Sequence, residues 1–309
     1  MSIEVGQVKH KRSKGRSVLR WVIGGLGALV ILVVLAGGGF IGWLYIQGHQ
    51  QSPPHATYVA MGSSFASGAG LGDYAEGVFL CMRSASNYPH QVAAARHLVL
   101  ADVTCSGATT GDVLHGGQYF QPAQIEAVTA ATEVVTITVG GNDVSYLRNL
   151  YAWGCTNEPK LVTGMRKLLC NAQPQQDVDA ALSQVRSKLS EIVDEVHRKA
   201  PKARVFLVDY LTIVPAVGDC PQLPLTGEQA ETARSVAARL RLATAAAAAE
   251  SHAELIQVSA MSEGHDVCAS DTWMQPFAFD NGAIALHPNQ EGTNAVANEI
   301  VKTLSKAPE

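Results

Sequence analysis

Five short runs of apolar, largely β-branched residues occur along this chain, each separated from the next by a longer stretch. Runs of this length and composition are typical of strands that are buried on both faces of a sheet. Strands that alternate with helices predict a parallel sheet covered by helices on both sides. The predicted strands are residues 58–61, 98–103, 134–139, 205–208 and 255–258.

Three stretches between or after these strands have the pattern of a helix. Residues 178–200 place apolar side chains on one face and charged side chains on the other. Residues 226–249 open with the capping-box pattern Thr226-Gly-Glu-Gln229 and continue into an alanine-rich segment. A last helix is predicted over residues 292–304, after Pro288. Residues 144–175 and 210–225 break the rhythm and are predicted to be long loops pinned by disulfides.

An apolar stretch without any charged residue covers residues 21–46, directly after six bases and one acid in residues 1–20. About 20 apolar residues are enough to cross the hydrocarbon core of a bilayer. The alternative is a cleaved signal peptide, but the run is too long for one and no Ala-x-Ala site follows it. The sequence therefore predicts a cytoplasmic tail (1–20), a single transmembrane anchor (21–46), a linker (47–56) and an extracytoplasmic domain (57–309).

The charge of the chain after the basic tail excludes one class of partner. The whole chain has a net charge of −4, and residues 21–309 contain 17 bases against 26 acids. Nucleic-acid binding requires a basic face that displaces counterions from the phosphates. An acidic body of this kind is not expected to bind nucleic acid.

All six cysteines follow the predicted anchor, at positions 81, 105, 155, 170, 220 and 268. An even number of cysteines on the oxidising side of a membrane indicates three disulfides. A zinc site is not expected, because the chain has no Cys-x-x-Cys or His-x-x-x-His spacing. Fifteen pairings are open, and the simplest joins neighbours along the chain: Cys81–Cys105, Cys155–Cys170 and Cys220–Cys268.

A serine-rich turn follows the first predicted strand, in the sequence Met61-Gly62-Ser63-Ser64-Phe65-Ala66. Small residues at a strand-to-helix turn allow the backbone to bend sharply. Ser64 would then project beyond the edge of the sheet, near helix amides that favour negative charge. This is a suitable place for a nucleophile whose attack creates an oxyanion, although turns rich in glycine and serine are also common without any function.

The turns after the second and third strands contain candidate oxyanion donors. Gly107 has no side chain to keep its N–H away from a ligand, and Asn142 follows Gly140 and Gly141 in a tight turn. Neutral donors of this kind suit an oxyanion hole. The simpler interpretation of each is a plain turn, where Gly, Asn and Asp are favoured for backbone reasons alone.

His287 lies directly before Pro288, which suits the first turn of a helix. From that position its imidazole could reach the same edge of the sheet and accept a proton from a serine. A lone histidine is more often structural. The four candidate groups together, each on a different loop, favour a serine hydrolase.

The same residues carry a resemblance to a known family. Gly62-Ser63-Ser64-Phe65 resembles block I of the SGNH (GDSL-like) hydrolases, which is usually Gly-Asp-Ser-Leu. Gly107 is similar to the glycine of block II, Gly140-Gly-Asn-Asp143 to block III, and His287-Pro288 to block V. The resemblance covers roughly residues 57–305. Motifs around Cys81, Asn87 and Cys105 look like the secreted esterase and lipase branch from actinobacteria.

The resemblance implies a flavodoxin-like three-layer α/β/α sandwich with a mostly parallel five-stranded sheet. It implies hydrolysis of acyl esters without a metal or cofactor, with Ser64 as nucleophile and His287 as base. Ser64, Gly107 and Asn142 would form the oxyanion hole. The branch typically has three disulfides, which would fit the sequential pairing.

Two positions depart from the family pattern. Ser63 replaces the usual Asp beside the nucleophile, and the turn is expected to tolerate it. Ile284 stands three residues before His287, where many members have the third residue of a catalytic triad. Either the backbone carbonyl of Ile284 orients the imidazole, as in some members of the branch, or Asp280 or Asp271 reaches in from the preceding loop.

The predicted function is that of a membrane-anchored, extracytoplasmic serine esterase or lipase, expected to be a monomer. Two alternatives remain from the sequence. The enzyme could transfer the acyl group to a sugar or lipid hydroxyl instead of water, or the chain could be a catalytically weak binding protein of the cell envelope. The sequence does not specify the acyl chain or the natural substrate.

Overall fold

The computed structural model describes residues 15–306, except residues 51, 76, 280 and 281. Two compact units divide the chain at residue 46. The first contains an N-terminal helix, and residues 47–309 form the second.

A five-stranded parallel sheet forms the centre of the second unit. Its strands pair in the order β2-β1-β3-β4-β5. The chain leaves β1 in one direction to form β2 and then returns to the other side to form β3, so the order reverses beside β1. Ligand sites of open α/β sheets lie at the carboxyl ends of the strands at such a reversal. The strands are β1 (Tyr58–Gly62), β2 (Leu100–Asp102), β3 (Val134–Thr138), β4 (Arg204–Val208) and β5 (Glu254–Ile256).

Helices connect and cover these strands. Right-handed crossovers place the helix between β1 and β2 on one face and the helices between β3, β4 and β5 on the other. The helix after β1 (Tyr88–Arg96) contacts the last helix (Gln290–Leu304). The helices before and after β4 (Gln175–Lys199 and Gly227–Glu250) also contact each other, so each face has its own helical layer. The helices are α1 (Gly15–Gly48), α2 (Ser64–Ser67), α3 (Tyr88–Arg96), α4 (Thr110–His115), α5 (Tyr146–Asn157), α6 (Gln175–Lys199), α7 (Gly227–Glu250), α8 (Val258–Met261) and α9 (Gln290–Leu304).

The core forms between the sheet and these layers, as the apolar runs predict. Every residue of β1 and β3 is buried, and the Tyr58 hydroxyl lies 2.8 Å from Thr136 Oγ1 between them. The predicted capping box of α7 is present: Gln229 N–H donates to Thr226 Oγ1, and Thr226 N–H donates to Gln229 Oε1. The predicted α/β/α sandwich with a parallel five-stranded sheet is confirmed.

The predicted long loop over residues 144–175 is wrong over its first half. Residues Tyr146–Asn157 form α5, and residues Gly164–Leu169 form a 3-10 helix. Tyr146 and Leu150 recur at helical spacing and are buried, which stabilises the helix although polar residues interrupt the pattern. Residues 210–225 contain no helix or strand, as predicted.

Three disulfides join the cysteines in sequential order. Cys81–Cys105, Cys155–Cys170 and Cys220–Cys268 close loops of 24, 15 and 48 residues. The first ties the segment after β1 to the turn after β2. Residues 47–309 therefore contain the whole sheet, its core and all three disulfides, and these are the features of a domain that folds on its own.

The N-terminal helix α1 covers the predicted anchor and continues into the first two residues of the predicted linker. Within it, the span Leu29–Gly48 contains an 18-residue window with a mean hydropathy of 2.3, so this helix is long and apolar enough to cross a membrane. A signal sequence would meet the same criteria. Most of the predicted cytoplasmic tail, residues 1–14, lies outside the described part of the chain.

Candidate active site

Ser64 lies at the carboxyl end of β1, at the first position of the short helix α2. The preceding Gly62 has φ +135°, and a Cβ atom there would lie 2.3 Å from the carbonyl oxygen of Thr138 on β3. Only glycine fits this close approach. Ser63 N–H donates to the same oxygen at 2.9 Å, so the turn is fixed to the edge of the sheet.

His287 lies at the end of the segment that leads into α9. Asn289 caps this helix by accepting the Gly292 N–H at 2.9 Å. The Nε2 atom of His287 lies 2.8 Å from Ser64 Oγ. The structure thus brings together the two predicted catalytic residues, which are 223 positions apart in the sequence.

The group that orients His287 is the backbone carbonyl of Ala285, which lies 3.0 Å from Nδ1. The prediction of the Ile284 carbonyl is wrong by one residue, because that oxygen accepts the backbone N–H of His287 instead. The cause is Leu286, whose left-handed backbone (φ +60°) turns the Ala285 carbonyl towards the ring.

Asp271, one of the two aspartates predicted as alternatives, contacts a different histidine. Asp271 lies 3.3 Å from the Nδ1 atom of His265, and the carbonyl oxygen of Asp271 lies 2.7 Å from the same nitrogen. The Asp271 alternative is therefore wrong. Asp280 lies outside the described residues.

Burial keeps His287 in the form that a general base requires. It lowers the pKa of the imidazole to about 4, against the weaker raising effect of the Ala285 carbonyl. The ring is therefore neutral at neutral pH. With Nδ1–H donating to the carbonyl, the lone pair of Nε2 faces the Ser64 hydroxyl and can accept its proton.

The turns that carry the predicted oxyanion donors are joined to each other. Asn142 Nδ2 donates to the carbonyl oxygen of Ala108 at 2.9 Å, which links the turn after β3 to the turn after β2. Gly107 is exposed and has φ +87°. The Ser64 N–H lies at a helix start, where amides have no partner within the helix. The oxyanion role of Ser64, Gly107 and Asn142 stays a prediction.

Tyr210 is a residue of this site that the sequence analysis missed. It follows β4, and its hydroxyl accepts the Gly141 N–H at 3.0 Å and lies 3.3 Å from Ser63 Oγ. Its ring packs edge-on against Phe65, which in turn contacts the His287 ring. Tyr210 therefore connects the nucleophile turn to the Asn142 turn. Its position directly after a buried strand was the signal available in the sequence.

Ser63 has a structural place in this arrangement. Its side chain is buried, with Oγ near the Tyr210 hydroxyl and 3.4 Å from the Thr138 carbonyl oxygen. The turn thus accommodates serine where the family usually has aspartate.

Two further polar residues fix the turns and were not assigned from the sequence. Asp143 accepts the Thr110 N–H at 3.0 Å and the Thr110 hydroxyl, which holds α4 against the turn after β3. Gln124 bonds both backbone groups of Gly62, accepting its N–H at 2.7 Å and donating to its oxygen at 3.1 Å. Both contacts span 33 residues or more, so no local pattern predicts them.

A cavity of about 610 Å³ opens to the surface beside Tyr210, which is one of its lining residues. Ser64 and His287 do not line it, whereas the Tyr210 ring does. Its walls come from the segment after β4, from α7 and from the segment after β5. Apolar and aromatic side chains make up most of its exposed lining, among them Tyr146, Tyr210, Leu211, Ile213, Val214 and Ala237. Charged side chains line it as well: Asp209, Arg234, Arg241, Glu263 and Asp266.

The sequence of the chain matches known ester hydrolases along most of its length. Residues 60–295 match the GDSL-like Lipase/Acylhydrolase family. Lipase 2 of Streptomyces coelicolor is 31% identical over 261 residues, which is 82% of this chain and 88% of that protein.

Solved structures of similar proteins have the same architecture. A phospholipase A1 from Streptomyces albidoflavus has a TM-score of 0.65 at 27% identity, covering 82% of this chain and all of that one. An extracellular lipase from Streptomyces rimosus has a TM-score of 0.64 at 25% identity, covering 81% of this chain and 99% of that one. The predicted family and branch are confirmed. The chain therefore belongs to the GDSL-like lipase/acylhydrolase family and is a carboxylic ester hydrolase.

Proposed function

We propose that this enzyme hydrolyses acyl esters by a Ser64–His287 dyad, in which the backbone carbonyl of Ala285 orients the imidazole. The observation that carries the proposal is the 2.8 Å contact between Ser64 Oγ and a neutral imidazole whose other nitrogen is held by a carbonyl. A serine hydroxyl is a weak nucleophile until an adjacent base accepts its proton.

The reaction proceeds in two steps. His287 takes the Ser64 proton as Oγ attacks the ester carbonyl carbon, and the leaving alcohol then takes that proton from His287. Water attacks the Ser64 ester next, giving its proton to His287, and the acid leaves as Ser64 regains its hydrogen. Ser64 N–H, Gly107 N–H and the Asn142 amide would stabilise the oxyanion formed in each step, where one such donor accounts for about 10²–10³ in rate.

Two adjacent serines provide a matched test of this mechanism. Ser64→Ala should abolish hydrolysis of a short-chain p-nitrophenyl ester and covalent labelling by a fluorophosphonate. Ser63→Ala should keep the labelling, because the Ser63 hydroxyl faces Tyr210 instead of His287. Unchanged turnover in purified, folded Ser64→Ala would exclude the mechanism.

The acyl chain of the substrate is proposed to occupy the cavity beside Tyr210. Cavities of roughly 300–1,000 Å³ are the usual size of small-molecule sites, and this one has the apolar lining that an acyl chain requires. Ala237→Phe should fill part of it and shift the preferred ester towards shorter chains. Turnover should be compared across p-nitrophenyl esters of increasing acyl length. If Ala237→Phe leaves the preferred length unchanged, the acyl chain binds outside this cavity.

The enzyme is further proposed to act outside the cytoplasm while α1 holds it in the membrane. The basic residues before the apolar stretch favour a cytoplasmic N-terminus. Only 6% of the most apolar 18-residue stretch of α1 is buried, whereas a helix in the core of a protein is mostly buried. The three disulfides in residues 47–309 suit an oxidising compartment.

The anchor is tested by fractionation of cells that produce the full chain with a C-terminal epitope. The protein should stay in membranes after alkaline carbonate extraction, keep its original N-terminus, and be digested by protease added outside the cell. Residues 47–309 behind a cleavable signal peptide are the matched control and should appear in the medium. If cells that produce the full chain release a soluble protein that lacks residues 1–46, the helix is a signal sequence.

A further inference from the structure

Three of the large exposed apolar side chains of the second unit belong to one short segment between Cys155 and Cys170: Leu161, Leu168 and Leu169. The other exposed large apolar side chains of the described residues 47–306 are spread over the rest of the chain: Tyr74, Phe79, Val99, Phe120, Val217 and Leu242. Apolar surface that gathers in one place, instead of being scattered, marks an interaction surface.

The segment between Cys155 and Cys170 is here called the Cys155–Cys170 loop. Leu161, Leu168 and Leu169 are 45%, 75% and 52% exposed. The loop is nevertheless fixed, because Val162 is fully buried and the disulfide closes both ends. Its leucines are therefore held outward by a structure that could bury them only against a partner.

The charge of this loop is opposite to that of the chain around it. Residues 156–169 contain three bases and one acid, whereas residues 21–309 as a whole contain 17 bases and 26 acids. Lys160 and Lys167 are exposed beside the leucines. Apolar side chains flanked by bases match the boundary of an anionic lipid surface, where the bases meet headgroups and the apolar groups enter the acyl region.

The loop also contacts the segment that carries the catalytic base. The Arg166 guanidinium lies 5.2 Å above the Phe279 ring, and its Nη1 is 3.5 Å from the Phe279 carbonyl oxygen. Phe279 packs against Phe277, two residues after Gln275, whose N–H donates to the His287 carbonyl. The loop is therefore linked, through Phe279 and Phe277, to the segment that ends at His287.

We infer that the Cys155–Cys170 loop docks the protein on an anionic lipid surface, with Leu161, Leu168 and Leu169 entering the acyl boundary. This inference rests on the proposed function in one respect: the docked lipid, or a molecule dissolved among such lipids, supplies the ester. The docking itself requires no catalysis.

The test uses residues 47–309, which lack α1, so that binding cannot come from the anchor. Co-sedimentation is measured with vesicles of phosphatidylcholine alone and with vesicles that also contain phosphatidylglycerol. The protein should prefer the anionic vesicles, and the preference should weaken with salt. Leu168→Ser/Leu169→Ser should weaken binding to both compositions by about tenfold or more, since each buried methylene contributes to affinity.

Charge reversal separates the two parts of the surface. Lys160→Glu/Lys167→Glu should weaken binding to the anionic vesicles by at least about tenfold, while changing binding to neutral vesicles little. The matched controls are Leu242→Ser on α7 and Lys202→Glu in the turn before β4, which are exposed and belong to other elements than the loop. Both should bind as the unmodified protein does.

Hydrolysis of a soluble short-chain ester is measured on every variant and distinguishes the two proposals. Normal hydrolysis with no vesicle binding, or with binding that the loop variants leave unchanged, would overturn the docking inference alone. Vesicle binding without hydrolysis would overturn the proposed function alone. Concentration-dependent dimerisation that the leucine variants abolish, without vesicle binding, would assign the loop to a second copy of the chain and overturn the inference.

Discussion

The two members of the proposed catalytic pair are held in different ways. Ser64 follows β1 directly, and the turn before it is bonded to β3 and to Gln124 through backbone groups. His287 ends a long segment between α8 and α9, which is held by backbone bonds within the segment, such as Gln275 N–H to the His287 oxygen and Leu286 N–H to the Gln275 oxygen, and by the Cys220–Cys268 disulfide. The position of the nucleophile thus belongs to the sheet, whereas the position of the base depends on how a loop is fastened. Changes near Ser64 should affect stability, and changes near His287 should affect turnover.

Removal of the base should give the largest effect on turnover with the smallest effect on the fold. We expect His287→Ala to lower kcat/KM by roughly 10³-fold or more, because the Ser64 hydroxyl loses the acceptor of its proton. Circular dichroism and the melting temperature should change little. A large fall in melting temperature would mean that His287 also holds the segment in place.

Substitution of two glycines should show how tightly the turn before Ser64 is packed in comparison with the segment before His287. Gly62→Ala should lower the free energy of unfolding by about 3 kcal/mol or more, because its Cβ would collide with the Thr138 carbonyl. Gly282→Ala should cost only about 1–2 kcal/mol for its left-handed backbone, since nothing lies within 4 Å. Urea unfolding of residues 47–309 measures both, and equal losses would contradict the comparison.

Removal of single disulfides should show whether the Cys220–Cys268 bond holds the segment that leads to His287, or only stabilises the fold. Cys220→Ser/Cys268→Ser and Cys155→Ser/Cys170→Ser should each cost about 2–4 kcal/mol, the first more because it closes the longer loop. Only the first pair includes a cysteine of the segment that leads to His287. It should therefore also lower kcat for a soluble ester, and equal kcat in both variants would argue against a role in fastening the base.

Tyr210→Phe should show what the shared hydroxyl contributes. Loss of the acceptor for the buried Gly141 N–H should cost about 1–3 kcal/mol of stability. It should also lower kcat more than it changes KM, because the turn that carries Asn142 loosens. The matched control is Tyr58→Phe, whose hydroxyl meets Thr136 within the sheet. That variant should lose stability and keep its kcat.

The pH dependence of kcat/KM should follow the protonation of His287. Activity requires neutral His287, whose pKa burial lowers from 6.5 to about 4, so kcat/KM should be flat near neutral pH and fall as pH drops through about 4. Because the unfolded chain binds this proton more tightly, the contribution to stability is complete above about pH 6.5 and declines towards pH 4. An inflection of kcat/KM near pH 6.5 would mean that His287 is not desolvated in the working enzyme.

The sequence predicts the sheet and the catalytic pair because both depend on local patterns. Each buried strand is a short apolar run, and Ser64 and His287 each stand at an element boundary marked by glycine or proline. The bounds were less accurate. The second predicted strand, residues 98–103, is paired only over Leu100–Asp102.

The missed features depend on contacts or backbone angles that no local pattern encodes. The carbonyl that orients His287 belongs to Ala285 because Leu286 adopts a left-handed conformation, which leucine rarely does. Tyr210 joins the site through partners 69 and 147 residues away. Helix α5 was hidden because polar residues interrupt its apolar spacing.

The carbonyl beside His287 has one more consequence, for how this site can vary. An aspartate in that place can be lost by a single substitution, but every amino acid carries a peptide carbonyl, so exchanging the side chain at position 285 leaves the acceptor intact. What the site cannot lose is the bend at Leu286 that aims the oxygen. Selection on the proposed third member of this group would therefore act on the course of the main chain, at the residue after the one whose oxygen meets His287.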